Sequence, residues 1–380
     1  MSNIKTTLWP LEAHTKAKHD ILKRYLQAWY PILGKHNKRI VYIDGFSGPG
    51  EYAGGEMGSP IIAINAAIEH KLNLNSQIVF WFIEENQERH ENLKLILNEK
   101  DVPTNFKLNV ECSTFENSLT TILNDIDRNG STLAPTFAFI DPFGISDTPF
   151  SIIEKIMSYQ KCEVLITFMS GFINRFKGEE YNISHLDALF GTSDWKHDIL
   201  ENGDEEAITE FYQKRLENVA KYVRSFEMIN DRNQTAYRLI FGTNSIRGLE
   251  KMKESMWNVD ESGSFKYSDR TDPNQSLLFS HQPDFELLKR LILSKFGKQS
   301  ATIEEIKKFV VVETPFRETH FKTQILPHME RANPPEIKVI RSGRSGYPSG
   351  TIIEFISQES KIKVTSKEQE GNNQSSLFDF

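Results

Sequence analysis

Carboxylates stand where three predicted strands end, and each is placed to do chemistry. Asp44 closes the apolar, partly β-branched run from Ile40 to Ile43, Glu84 closes Ile78 to Ile83, and Asp141 closes Thr136 to Ile140. Around the first, Arg39 to Pro60 reads RIVYIDGFSGPGEYAGGEMGSP, with Gly45, Gly48 and Gly50, then Gly54, Gly55 and Gly58. A buried strand that breaks into glycines before a helix lets backbone N–H groups approach a ligand closely. Glu84 follows roughly one βαβ unit later, where nucleotide-cofactor folds place a carboxylate on ribose hydroxyls. Asp44, Phe46, Gly48, Gly50 and Glu84 are therefore the candidate cofactor residues. An ordinary surface loop is the plainer account of such glycines taken alone.

Elements that would position these groups follow in a βα series. A helical stripe runs from His14 to Leu33, beside Lys16, Lys18, Lys23 and Arg24; it reads either as a lid over the site or as a helix whose charges form a solvated face. Further helices are expected at Ile61–His70, Asn86–Asn98, Phe115–Ile126 and Glu205–Tyr222, and further strands at Asn105–Val110 and Val164–Phe168. Met169 to Phe176 reads as a loop and Tyr181 to Gly203 as irregular, with Trp195 and His197 in a polar setting. Val223–Ile229 and Ala236–Thr243 look like a hairpin about the turn Asn230–Gln234. The series implies a Rossmann-like α/β sheet, mostly parallel with an antiparallel edge hairpin.

Composition bounds the rest. The 380 residues suffice for two domains, and 38% hydrophobic with 26% charged residues suits a soluble globular chain. No apolar run reaches the ~20 residues of a membrane span, and the first residues lack an apolar signal core, so a cytoplasmic location is expected. Two cysteines, Cys112 and Cys162, make neither a disulfide framework nor a metal site; each reads as a buried reduced thiol. A net charge of −7 argues against a wholesale nucleic-acid coat.

Expected boundaries are a first domain over 1–259, a linker over 260–283, a second domain over 284–356 and a disordered tail over 357–380. In the second domain, Leu287–Leu293 marks a helix, Thr302 with Glu305 makes a capping box for Ile303–Val310, and Thr314-Pro315 opens a third helix over Phe316–Arg331. Strands Ile337–Arg341 and Thr351–Ile356 flank a Gly-rich tip, so three helices and a hairpin spell a winged helix-turn-helix. This stretch holds twelve Lys and Arg against nine Asp and Glu. Arg317, Lys322, Arg331, Lys338, Arg341 and Arg344 are its candidate nucleic-acid contacts.

F-S-G-P-G resembles the F-x-G-x-G turn of S-adenosylmethionine (SAM) methyltransferases, which place a polar side chain against adenine where Ser113 and Thr114 stand. Asp141-Pro142-Phe143-Gly144 sits where amino-methyltransferases carry D/N-P-P-Y/F, implying a catalytic role for Asp141, Pro142 and Phe143: acceptors for an exocyclic amine and a ring that stacks on a base. Phe143 replaces the second proline and Gly144 the aromatic. KHDILKRYLQAW, YIDGFSGPGEY with GSP, FIDPFG, and RLIFGT before GLEKMKESMW resemble the three-Cys-motif partner family over most of residues 10 to 355. That resemblance implies a class I SAM methyltransferase fold, a winged helix and a three-cysteine partner similar to radical-SAM or iron–sulfur enzymes. Two functions follow: a SAM-dependent methyltransferase for nucleic-acid base amines, working with that partner in DNA repair, modification or defence, or a degenerate fold serving as a nucleic-acid-binding adaptor for the partner. Gln374, Leu377 and Phe378 match the Q-x-x-L-F spacing of peptides that dock on the bacterial sliding clamp, which favours DNA.

Overall fold

The run ending in Asp44 becomes a strand with five of its six residues buried in the computed structural model. The structure describes residues 7–70, 74–145, 148–201, 203–260, 264–269, 283–297, 299–341, 343 and 345–356. Two units divide the chain, Met1–Ser280 and His281–Phe380.

The first unit runs α1 (Ala13–Gly34), β1 (Arg39–Asp44), α2 (Ser59–Ile68), β2 (Gln77–Glu84), α3 (Gln87–Asn98), β3 (Phe106–Cys112), α4 (Phe115–Arg128) and β4 (Thr136–Ile140). It continues α5 (Phe150–Ser158), β5 (Glu163–Phe168), α6 (Ser170–Phe176), α7 (Ile183–Phe190), α8 (Trp195–Asp198), α9 (Glu205–Glu217), β6 (Tyr222–Ile229), β7 (Thr235–Thr243), α10 (Ile246–Trp257) and β8 (Lys266–Ser268). Among the described residues one sheet forms in the order β3-β2-β1-β4-β5-β7-β6-β8. The strands from β3 to β5 pair in parallel, and β7 reverses between β5 and β6. This is a Rossmann-like α/β sheet, mostly parallel, with an antiparallel hairpin toward one edge.

Apolar residues cover both faces. Tyr25, Trp29, Tyr42, Phe80 and Phe137 belong to one core cluster, and Ile43, Phe115, Ile153, Trp195 and Tyr212 to the other. Burying strands on both faces requires the continuous apolar runs seen in β1 and β4, and every residue of β4 is buried. The chain reverses its direction of travel across the sheet between β1 and β4. In such sheets the crevice beyond the carboxyl ends at that point is where ligands bind, and Asp44 and Asp141 stand there.

Several expectations need correction. Met169–Phe176 is largely helix, α6, and the irregular stretch holds α7 and α8. Trp195 is fully buried and donates to Asp187 Oδ1 at 2.8 Å, which satisfies its N–H inside the core. α9 stops at Glu217, and Tyr222 opens β6 instead. Part of the expected linker is strand, since β8 pairs with β6. Cys112 is exposed at the end of β3, the sheet's edge strand, while Cys162 is buried.

The second unit contains α11 (Phe285–Phe296), β9 (Ser300–Thr302), α12 (Ile303–Glu313), α13 (Glu318–His320), α14 (Leu326–Arg331), β10 (Ile337–Ile340) and β11 (Ile352–Phe355). Thr302 and Glu305 form the expected capping box. β11 pairs antiparallel with both β10 and β9. Thr314 does not open the third helix: its hydroxyl donates back to Val310 O at 2.6 Å, and α13 begins only after Arg317. A π-helical turn, Phe321–Ile325, then links α13 to α14. Among the described residues no helix is long and apolar enough to cross a membrane.

Candidate cofactor and acceptor site

Backbone bonds fix the glycine loop. Gly45 N–H donates to Phe139 O and Ser47 N–H to Ile83 O, both at 2.9 Å, which ties the loop to β4 and β2. Gly58 N–H closes it onto Gly50 O at 2.8 Å. Gly48 and Gly50 take φ of +62° and +89°, conformations an L side chain adopts only under strain. An added Cβ on Gly50 would lie 2.9 Å from Leu93 Cδ1, so this glycine serves packing on α3. Its side-chain position is thus taken by α3, while its backbone lines the cavity beside Gly48.

Glu84 is nearly buried at the end of β2. Its Oε2 accepts from Gly48 N–H at 2.8 Å and its Oε1 from Asn86 N–H at 2.9 Å. Burial raises its pKa, against the pull of those N–H groups and Arg89. The carboxylate therefore ties β2 to the glycine loop, and each oxygen keeps a lone pair for a ligand hydroxyl. Thr114 caps α4, its Oγ1 accepting from Asn117 N–H at 3.2 Å.

The expected residues gather in two small adjoining cavities of about 30 Å³ each. Glu84, Ser113 and Thr114 line one, Gly48, Gly50 and Asp141 line the other, and Phe46 and Phe143 stand in both. Both are far smaller than a nucleotide cofactor, and the two rings are common to their walls. Asp44 and Pro142 line neither cavity.

Asp44 is fully buried, with Tyr42 Oη donating to its Oδ2 at 3.2 Å and Phe46 N–H to its Oδ1 at 3.4 Å. Burial, reinforced by the charge of Asp141, pushes its pKa up from 3.8 to about 7. The folded protein thus keeps a proton on Asp44 where the unfolded chain has lost it. Stability from this group is fully present below about pH 4 and is lost as pH rises through about 7. Asp44→Asn should therefore gain about 4 kcal/mol relative to the native chain between pH 4 and pH 8, read by urea unfolding at each pH. A difference that stays flat with pH would show that Asp44 is ionised throughout.

Sequence reasoning missed what α1 brings. Lys18, 5% exposed, extends its Nζ to Asp141 Oδ2 at 2.5 Å and lies 4.9 Å from the Tyr237 ring centroid. Its charge is not part of a solvated face. His19 beside it is buried, and desolvation, then Lys18, lowers its pKa to about 3, so the imidazole is neutral. Trp9 meets both Tyr52 and Phe143 edge-on at 5.8 Å, and Trp9 O accepts from Ala53 N–H at 2.9 Å. Phe143 remains 57% exposed. The mouth thus combines a cation-paired carboxylate with an exposed aromatic edge. The HDILKRYLQAW stripe offers the only signal for α1, and nothing local marks Lys18.

In the second unit, Lys322 pairs with Glu318 at 2.7 Å, Lys338 with Glu354 at 3.2 Å and Arg341 with Glu330 at 2.5 Å. Arg317 Nε donates to His320 Nε2 at 3.1 Å, and Arg331 is exposed. Arg344, Gln374, Leu377 and Phe378 lie outside the described residues. Among those described, no group of His, Cys, Asp and Glu is arranged to hold a metal ion.

No family model matches this chain, and no curated protein matches it. Solved structures similar to it include the plantazolicin methyltransferase BpumL in complex with SAH, at 11% identity and TM-score 0.30 over 61% of this chain and 86% of that one. Another is geranyl diphosphate methyltransferase in complex with GPP and sinefungin, at 12% identity and TM-score 0.25 over 57% of this chain and 78% of that one. TM-scores this low leave function to be argued from the site itself.

Proposed function

We propose that the first unit is a SAM-dependent methyltransferase acting on the amino group of an exposed nucleic-acid base. One observation carries the reading: Asp141 and the exposed Phe143 stand at the carboxyl end of β4, directly beside the glycine loop and Glu84. The residues present fit the cofactor. Glu84 keeps lone pairs for ribose hydroxyls, Ser113 and Phe46 border the adenine position, and the Gly48–Gly50 backbone borders the rest. When bound, SAM supplies an electrophilic methyl carbon. With Oδ2 held by Lys18, Asp141 offers Oδ1 to an amine N–H, aiming its lone pair. Phe143 stacks on the base, which single strands or flipped nucleotides present.

Transfer of labelled methyl from SAM to single-stranded oligonucleotides tests this. Phe143→Ala, at an exposed position, should leave folding within about 0.5 kcal/mol and lower transfer at least about tenfold. Transfer undiminished in that variant would remove Phe143 from the acceptor site.

A second reading draws on the small cavities and on the Lys18–Asp141 pair: the fold is a catalytically degenerate adaptor that recruits a three-cysteine partner. Absence of SAM binding, with retained nucleic-acid binding, would favour it.

For the second unit we take the winged-helix reading, with basic residues on phosphate. The exposed Lys338–Glu354 pair is worth about 0–1 kcal/mol, so phosphate can displace Glu354, while the half-buried Arg341–Glu330 pair yields less readily. Replacing both cations by Ala should reduce the slope of log K against log salt by about 2. An unaltered slope would make this a protein-binding surface. The Gln374, Leu377 and Phe378 spacing keeps a clamp contact, and hence DNA, within the proposal. A peptide ending in QSSLFDF that fails to bind purified clamp would end that part.

A further inference from the structure

Away from the cleft, α1 also borders a pocket of about 220 Å³ at the opposite end of the strands, where β5 begins and β7 ends. About 150 Å³ admits a benzene ring, so this pocket has room for a ring and a short arm. Its walls are mainly apolar, with Trp29, Ile32 and Leu33 of α1 facing the start of α10 at Gly248.

Its floor is a carboxyl group. Glu163 is 4% exposed, and its two oxygens accept from Tyr25 Oη and Thr243 Oγ1, each at 2.6 Å. Each oxygen retains capacity for a second donor. The Trp29 indole N–H, without a hydrogen-bond partner in the fold, stands beside the same carboxyl in the cavity wall, and the carboxyl's remaining lone pairs can take one further donor there. The rim has the opposite character. Arg247 is exposed with no acidic partner among the described residues, and Lys161 Nζ donates only to the neutral Asn37 Oδ1 at 3.0 Å. His36 and Lys251 complete the basic rim, Lys251 being held by Glu254 at 2.7 Å.

An apolar slot with an acceptor at its floor and cations at its mouth selects one kind of molecule. We propose that this pocket binds a small heteroaromatic anion, its ring N–H donating to Glu163 and its anionic arm reaching Arg247 and Lys161. The site is separate from the cofactor cleft, so its occupancy does not depend on the methyltransferase reading.

Calorimetry on the full chain with three probes tests this. Indole-3-acetate carries both features, indole lacks the anion, and 1-naphthaleneacetate lacks the N–H. Indole-3-acetate should bind below about 1 mM, and each truncated probe about tenfold more weakly. Arg247→Ala, on the surface, should weaken indole-3-acetate about tenfold and leave indole unchanged, while Ile32→Trp should fill the slot and abolish all binding. No heat from any probe at about 5 mM, equal affinity for all three, or affinity unmoved by Arg247→Ala would each overturn the proposal. A second portion titrated with SAM should give the same affinity with and without saturating indole-3-acetate. Competition between them would place the probe in the cleft and overturn the assignment.

Discussion

Asp141→Ala lowers stability by about 3 kcal/mol, because it leaves the Lys18 ammonium buried without a counter-charge. The side chains are 6% and 21% exposed, so water reaches the carboxylate more readily than the amine. Lys18→Met should therefore cost less than Asp141→Ala, since the stranded carboxylate turns toward solvent. The double variant should recover most of the loss, because no buried charge remains. Urea midpoints with unchanged slopes measure all four corners of the cycle. Strictly additive losses would mean that the pair contributes nothing as a pair. The same geometry recommends Asp141→Asn for catalytic tests, since the amide oxygen still accepts from Lys18.

Gly50→Val has the second large effect, and it falls on folding. Its Cβ would lie 2.9 Å from Leu93 Cδ1 and 3.4 Å from Ile96 Cδ1, on a backbone at φ +89°. Overpacking against α3 and strain at that φ together cost about 3 kcal/mol. Gly48→Ala meets nothing closer than Trp9 Cη2 at 3.7 Å, so its cost is the backbone strain alone, about 1–2 kcal/mol. Thermal unfolding should rank Gly50→Val well below Gly48→Ala. Equal midpoints would show that the loop yields freely at α3.

The difference between these glycines shows what a sequence can and cannot disclose. That glycines follow β1 is visible in one line of text, and so is β4, whose bounds match the apolar run from Thr136 to Ile140. The capping box of Thr302 and Glu305 is equally local, three residues wide. What Gly50 faces is set by α3, more than forty residues on, and what Gly48 faces by Trp9 far before it, and no spacing rule reports either. Lys18 is the strongest case: its partner Asp141 is 123 positions away, so in sequence it is one more cation beside an apolar stripe. α6 and α8 lack side-chain caps and are short, which is why their stretches read as loop. Cys112 was expected inside because β3 is strand-like, yet edge position decides exposure.

The central claim is that the cleft beyond β1 and β4 holds SAM. Isothermal titration of the purified full chain with SAM measures it directly. The account predicts saturable binding in the micromolar range, weakened by at least about tenfold in Glu84→Ala, which removes the carboxylate placed for the ribose. No heat of binding at high micromolar SAM, or an affinity unchanged in a folded Glu84→Ala, would contradict it.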